Sequence, residues 1–324
     1  LSPLTKPQVF VTRAIPEDGL ELLRQHCDLD VWPNTAAPSD DELISRTKGK
    51  DGILTMLTDK IDAAFMDTVG PQLKVISQYA VGYDNIDTQA AQQRGIAVGN
   101  TPGVLTEATA DIAFALLLAT ARRIVEAADY VKAGQWKTWE PQTLLGADLN
   151  GATMGIIGLG RIGQAFAQRA KGFNMRLIAY SPRLTPEKAA VVGAEAVSFE
   201  TLLRESDFIS LHSPLTAETR HLINAEALAK MKPTAILINT ARGGMIDQDA
   251  LYNALRNGTI RAAGLDVTDP EPLPSDHPLL QLPNALIIPH IGSASIETRT
   301  KMSVMAAENL LAGLNGTPLP NSVL

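Results

Sequence analysis

The stretch GATMGIIGLGRIGQAFAQRAKG, residues 151–172, decides the fold of this chain. It opens on the apolar run TMGIIG, closes on the amphipathic pattern RIGQAFAQRAKG, and between them spaces Gly158, Gly160 and Gly163 as G-x-G-x-x-G. Between a strand and a helix each glycine has a task. The first allows the tight turn, the second lets a pyrophosphate approach the backbone, and the third lets helix and strand pack closely. The start of the helix then offers unpaired N–H groups to phosphate. A dinucleotide-binding loop with contacts at Gly158, Gly160, Arg161, Ile162 and Gly163 is the expected reading.

Downstream, the strand-like runs MRLIAYS, DFISLHS, AILINTA, AAGLDV and ALIIPH follow, six in all with the first, as a full Rossmann unit requires. Upstream, VFVT, LDVW, GILTM, LKVISQYA and IAVGNTP alternate with amphipathic segments such as PEDGLELLRQHC and DDELISRT, which is the pattern of a second parallel sheet with helical crossovers. Between the series, residues 106–134 read as one long helix opened by Thr106 and stopped by Gly134. Residues 293–314 read as a last helix that packs back on the first domain, and the tail TPLPNSVL reads as irregular. The fold class is therefore α/β, with two Rossmann-like doubly wound parallel-sheet domains, one of them flavodoxin-like. The helix at 293–314 would make the first of these domains discontinuous.

A length of 324 residues suits two cores, and a net charge of −7 argues against nucleic acid as a partner. The single cysteine, Cys27, has no disulfide partner and no second thiol for a metal site, so a reducing, cytoplasmic setting without metal is expected. The longest apolar run, IAFALLLATA at 112–121, is too short to span a membrane, and LSPLTKPQ lacks the order of a signal peptide.

Residues 179–186 read AYSPRLTP, where such folds usually place an acidic residue on the ribose of NAD. Here stand Ser181 and Arg183. A carboxylate would repel a 2′-phosphate, whereas a serine hydroxyl and a guanidinium can both donate to one, so NADP(H) is the expected cofactor.

Of five histidines, His290 follows ALIIP and precedes Gly292 at the carboxyl end of a strand, where open α/β sheets hold ligands. His212 also ends a strand, but the proline two residues on suggests a turn on the adenine side. His26, His221 and His277 lie in helical or proline-rich surroundings that favour structural roles. Arg242 rims the strand ending NTARGG, and the strand end GLDV with the PEP that follows brings the carboxylates of Asp266 and Glu271. Reduction of a 2-oxo acid needs a cation to grip the substrate and an acid to protonate its carbonyl oxygen, tasks that suit Arg242 and His290. Glu271, if it meets His290, would orient the ring and favour its protonated form.

The set GLGRIG, NTARGG with MIDQDAL, GLDVTDPEPLP and PHIGSAS, together with QYAVGYDNID and RGIAVGNTPGVLTEATAD, resembles the D-isomer-specific 2-hydroxyacid dehydrogenases over nearly the whole chain. It looks most similar to their glyoxylate/hydroxypyruvate reductase branch. That resemblance implies NADPH-dependent reduction of glyoxylate to glycolate and of hydroxypyruvate to D-glycerate, with Arg242, Glu271 and His290 as the catalytic set. It implies that backbone N–H groups at Val81 and Gly82 bind the substrate carboxylate together with Arg242, and that Leu57, His290 and Ser293 also contact substrate. It implies cofactor contacts at Thr106, Ser213, Pro214, Thr240, Ala241, Asp266 and Gly292. It also implies a discontinuous substrate domain, 1–100 with 292–324, around a cofactor domain, 101–291, and a homodimer whose arm, GQWKTWEPQTLLG at 134–146, crosses to the partner; Trp139, costly to leave in water, is expected to line the partner's active site. Val81 stands where phosphite-oxidising relatives carry a lysine, which argues against that reaction. A reductase of a longer acid such as 2-ketogluconate, and a dinucleotide-sensing corepressor of the same fold, are the alternatives.

Overall fold

The computed structural model describes residues 6–324, so the first five residues of the stretch read for a leader lie outside the described residues. The chain divides into two compact units, one running to Leu105 and resuming at Ala294–Leu324, the other spanning Thr106–Ser293. The seams at 105/106 and 293/294 lie a few residues beyond 100 and 291.

The first unit is built from β1 (Gln8–Val11), α1 (Glu17–His26), β2 (Asp28–Val31), α2 (Asp40–Thr47), β3 (Gly52–Thr55), α3 (Ala63–Val69), β4 (Val75–Gln78), α4 (Thr88–Gln93) and β5 (Ala97–Gly99). Its strands form one parallel sheet in the order β2-β1-β3-β4-β5, the flavodoxin-like order. The helices start at side-chain caps that a sequence can show: Ser39 and Glu42 form a reciprocal capping box on α2, and Asp62 and Asp87 cap α3 and α4.

The second unit holds α5 (Thr106–Ala121), α6 (Ile124–Lys132), β6 (Thr153–Ile157), α7 (Arg161–Lys171), β7 (Arg176–Tyr180), α8 (Pro186–Ala190), β8 (Ala194–Ala196), α9 (Phe199–Glu205), β9 (Phe208–Leu211), α10 (Ala225–Lys230), β10 (Ile236–Asn239), α11 (Gln248–Arg256), β11 (Ala262–Leu265) and β12 (Ala285–Ile287). Its parallel sheet runs β12-β11-β10-β9-β6-β7-β8. Burial on both faces follows from the strand period of two. Met154 and Ile156 pack on one face with Phe114 and Phe166, while Ile157, Ile209 and Leu211 pack on the other with Leu202, Leu228 and Leu251.

Two expectations for this unit need correction. The sheet has seven strands rather than six, because the three-residue β8 pairs with β7. The long helix is two helices, broken at Arg123, whose φ of 54° is left-handed.

The last helix, α12 (Ile296–Leu314), begins at a Ser295 cap and lies on the five-stranded sheet of the first unit, where Ser77 donates to the Ala306 carbonyl at 2.7 Å. The tail beyond it is not irregular throughout, for Ser322 forms an antiparallel bridge with Gly99.

Candidate functional site

In the second unit the dinucleotide loop is built by steric exclusion. Gly158 has φ 94°, and a Cβ there would lie 2.5 Å from Ser213 Oγ. A Cβ on Gly163 would lie 2.1 Å from the Gly158 carbonyl oxygen, so only glycine lets α7 start so close to β6. At Gly160, by contrast, a Cβ would meet nothing within 4 Å. The helix α7 begins there without a side-chain cap on its first N–H groups. A pyrophosphate fits this cradle.

Two buried polar atoms point the same way. Thr240 Oγ1 and His212 Nδ1 are sealed from water and, among the described residues, have no hydrogen-bond partner. Such orphans are uncommon in finished protein interiors and mark a place where a bound group completes the hydrogen bonding. Thr240 follows β10 directly, so its hydroxyl belongs at the carboxyl end of the sheet with Ala241, which donates its N–H to Asn239.

At the end of β7, Ser181 Oγ accepts from the Leu159 N–H at 3.2 Å, which ties the ribose-side loop to the glycine loop and leaves the serine proton to donate elsewhere. Arg183 is exposed on the turn that follows, and among the described residues no carboxylate pairs with it. Pro214 follows Ser213 into an exposed loop, where its carbonyl accepts from Thr219. Arg161 and Ile162 open α7, and Thr106 opens α5.

The ends of β10, β11 and β12 carry the three candidate catalytic side chains. Arg242 leaves β10 on a loop held by the fully buried Asn239, whose Nδ2 donates to the Arg242 carbonyl at 2.8 Å. Gly243 then lies against the next loop, since a Cβ there would be 2.0 Å from Thr268 backbone atoms. Asp266, 1% exposed, accepts from the N–H groups of Ile291 at 2.6 Å and Gly292 at 2.8 Å. Burial pushes its carboxyl above the usual carboxylate range, against the pull of those N–H donors and of His290. Its own carbonyl accepts from the His290 N–H, and His290 is held at φ 50°. The ring thus projects from a strained turn clamped on both sides to Asp266. His290 Nδ1 lies 2.5 Å from Glu271 Oε1, while among the described residues Nε2 has no partner.

A carboxylate on Nδ1 fixes the tautomer and leaves Nε2 to give or take a proton at the open edge. The arrangement is a base-acid device with a cation at the neighbouring strand end. The structure brings Glu271, His290, Asp266 and Gly292 into one hydrogen-bonded cluster, with the Arg242 loop packed beside it through Gly243. Asn239 was not singled out from sequence, although an asparagine closing a buried strand is a signal for a loop anchor. The other histidines take structural places: His277 Nδ1 accepts the Leu279 N–H, His221 donates its N–H to Gly244, and His26 lies in the last turn of α1. Among the described residues no cluster of His, Cys, Asp and Glu suits a metal, and no helix is long and apolar enough to cross a membrane.

In the first unit, Val81 and Gly82 follow β4, and Leu57 follows β3, both at carboxyl ends of the sheet. Trp139 is 80% exposed in the arm 134–146.

Known proteins share this fold. The model of the D-isomer specific 2-hydroxyacid dehydrogenase NAD-binding domain matches residues 114–292. A glyoxylate reductase of Korarchaeum cryptofilum is 54% identical over 319 residues, covering 98% of this chain and 96% of its own. Among solved structures, a Thermus thermophilus protein aligns with TM-score 0.90 at 51% identity over 98% of this chain and 100% of its own. An NADPH-dependent glyoxylate/hydroxypyruvate reductase of Sinorhizobium meliloti, solved with NADP and malonate, aligns with TM-score 0.86 at 32% identity, covering 98% of this chain and 97% of its own.

Proposed function

The chain belongs to the D-isomer specific 2-hydroxyacid dehydrogenase family, and from that premise we propose that it is an NADPH-dependent reductase of glyoxylate and hydroxypyruvate, forming glycolate and D-glycerate. The observation that carries the reading is the 2.5 Å contact of His290 Nδ1 with Glu271, which leaves Nε2 open.

When bound, a reduced nicotinamide would supply hydride to the carbonyl carbon. Protonated His290 gives its Nε2 proton to the carbonyl oxygen in the same step, and Glu271 stabilises the positive ring before transfer and holds its plane. Arg242 neutralises the substrate anion and the oxygen that gains charge. The N–H groups of Val81 and Gly82 bind the carboxylate, and Leu57 and Ser293 border the substrate. The first unit is thus the substrate domain and the second the cofactor domain.

Gly158 to Gly163, with Arg161 and Ile162, would hold the pyrophosphate. Ser213 and Pro214 would border the adenosine side. Thr240, Ala241, Asp266, Gly292 and Thr106 would border the nicotinamide side, where the orphaned Thr240 hydroxyl gains a partner. Ser181 and the exposed Arg183 favour a 2′-phosphate over a bare ribose. We take the functional form to be a cytoplasmic homodimer, with Trp139 reaching the partner's site.

A steady-state panel of glyoxylate, hydroxypyruvate, pyruvate and 2-ketogluconate, each with NADPH and with NADH, tests the reading. The expected ranking puts the first two acids with NADPH on top. Negligible turnover of every acid would instead favour a sensor of the dinucleotide.

A further inference from the structure

The loop after β4 has a feature that the catalytic set does not explain. Two buried side-chain amides reach two successive carbonyls of the same loop. Asn100 Nδ2 donates to the Val81 carbonyl at 2.7 Å, and Gln78 Nε2 donates to the Gly82 carbonyl at 3.3 Å. Gln78 is fully buried and Asn100 is 7% exposed.

The consequence follows from peptide geometry. In a trans peptide the C=O and the next N–H point in opposite directions. Holding the Val81 and Gly82 carbonyls inward therefore turns the N–H groups of Gly82 and Tyr83 outward. Among the described residues the N–H groups of Val81, Gly82 and Tyr83 donate to no protein acceptor. Consecutive outward N–H groups make an anion-binding concavity.

Each amide is anchored in turn. Gln78 Oε1 accepts from Thr55 at 2.6 Å, and its Nε2 also donates to Asn85 Oδ1 at 2.8 Å. Asn85 then donates to the Met56 carbonyl at 3.0 Å and the Asp59 carbonyl at 2.8 Å, so the loop carrying Leu57 belongs to the same network. Asn100 is held from the C-terminal end of the chain. Its N–H donates to the Asn321 carbonyl at 3.1 Å, and its carbonyl accepts from Asn309 Nδ2 at 2.8 Å. Asn309 Oδ1 accepts the Asn321 N–H at 3.0 Å, closing the relay. Gly99 permits this approach, because a Cβ there would lie 2.9 Å from both Asn309 and Leu319 side-chain atoms.

We infer that Gln78 and Asn100 are positioning residues that aim the N–H groups of Gly82 and Tyr83 at the substrate carboxylate, and that Asn309 and the tail at Asn321 form part of that device. This deepens the proposed function and rests on the carboxylate binding at Val81 and Gly82. A fully satisfied buried amide network has one arrangement, and loss of one member frees the peptide it holds.

The test is steady-state kinetics of glyoxylate with NADPH, with oxamate as competing anion, on the unaltered protein and on Asn100→Ala, Gln78→Met and Asn309→Ala. Losing an aligned donor to a charged group should raise the glyoxylate KM and the oxamate inhibition constant together by about tenfold. The kcat at saturation and the KM for NADPH should stay within about twofold. Thermal unfolding of each variant identifies any that fails to fold, and Gln78→Met, of nearly the same volume, serves where Asn100→Ala does not fold. Unchanged KM and inhibition constants in folded variants, or a fall in kcat alone, would overturn the inference while leaving the proposed function standing. If the unaltered protein neither turns over glyoxylate nor binds oxamate, both fall.

Discussion

His290 carries the proton chemistry of the proposed reaction from a backbone conformation that costs a non-glycine residue roughly 1–2 kcal/mol. The clamp onto Asp266 maintains that strain, and the gain is a ring whose one nitrogen is committed to Glu271 and whose other is open. His290→Ala should lower kcat by about 10²- to 10⁴-fold while NADPH still binds, measured by single-turnover kinetics and by quenching of protein fluorescence. Turnover kept near the unaltered level would remove the residue from its role as acid. Arg183 makes a different claim, about affinity alone. A charge-assisted bond to a 2′-phosphate is worth about 1.5–3 kcal/mol, so Arg183→Ala should raise the KM for NADPH by roughly 10- to 100-fold and leave that for NADH in place. An equal effect on both cofactors would argue that the arginine is only a solvated turn residue.

At the scale of elements, β9 is followed directly by a partly buried histidine. His212 Nε2 pairs with Ser210 Oγ at 2.9 Å, the ring packs on Phe166, and Nδ1 is shut away from water, so burial pulls its pKa from 6.5 down to about 3. Between those values the unfolded chain binds a proton that the folded chain refuses, so this group makes stability fall as pH drops through the window. The limiting slope for one group is about 1.4 kcal/mol per pH unit. Urea unfolding of the cofactor-free protein at pH 7.5 and 5.0 should show roughly 2 kcal/mol more loss for the unaltered protein than for His212→Gln. Parallel losses in the two would show that the ring titrates freely.

The elements also show what a sequence can and cannot convey. The glycine loop was legible because strand, turn and helix are consecutive, and the candidate catalytic side chains because each follows an apolar strand. The break at Arg123 was not, since Ile124 and Val125 continue the apolar pattern. What ends α5 is distant: the Ala121 carbonyl accepts the Ala147 N–H at 2.8 Å. The short β8 lacks β-branched residues and is defined only by its register on β7. Likewise Asn239, Asn100 and Asn309 act through partners brought together by folding, and a lone buried asparagine gives little local sign of that.

At the scale of the whole molecule, the apolar surface of the second unit calls for a partner. None of the residues of α6 is buried, and Ile124, Val125 and Val131 are 46–52% exposed on it. The arm adds Trp136 at 64%, Trp139 at 80% and Leu145 at 58%. Beside them opens a groove of about 550 Å³ whose apolar wall of Val125, Leu145, Leu282 and Leu286 is rimmed by Arg123, Glu126, Asp129 and Arg261. Contiguous apolar surface of this kind marks an interaction site, whereas scattered single side chains would not. In the proposed homodimer, α6 and the arm of each chain cover the other. Sedimentation at micromolar concentration should then give about twice the 34.6 kDa chain mass, and Val125→Asp with Val131→Asp should shift the species toward monomer. Trp139→Ala belongs to the same test at one remove: if its ring borders the partner's substrate, the ratio of glyoxylate to hydroxypyruvate turnover changes while the mass does not. An unaltered protein that sediments as a monomer, or a ratio untouched by the substitution, would confine the arm to the surface of its own chain.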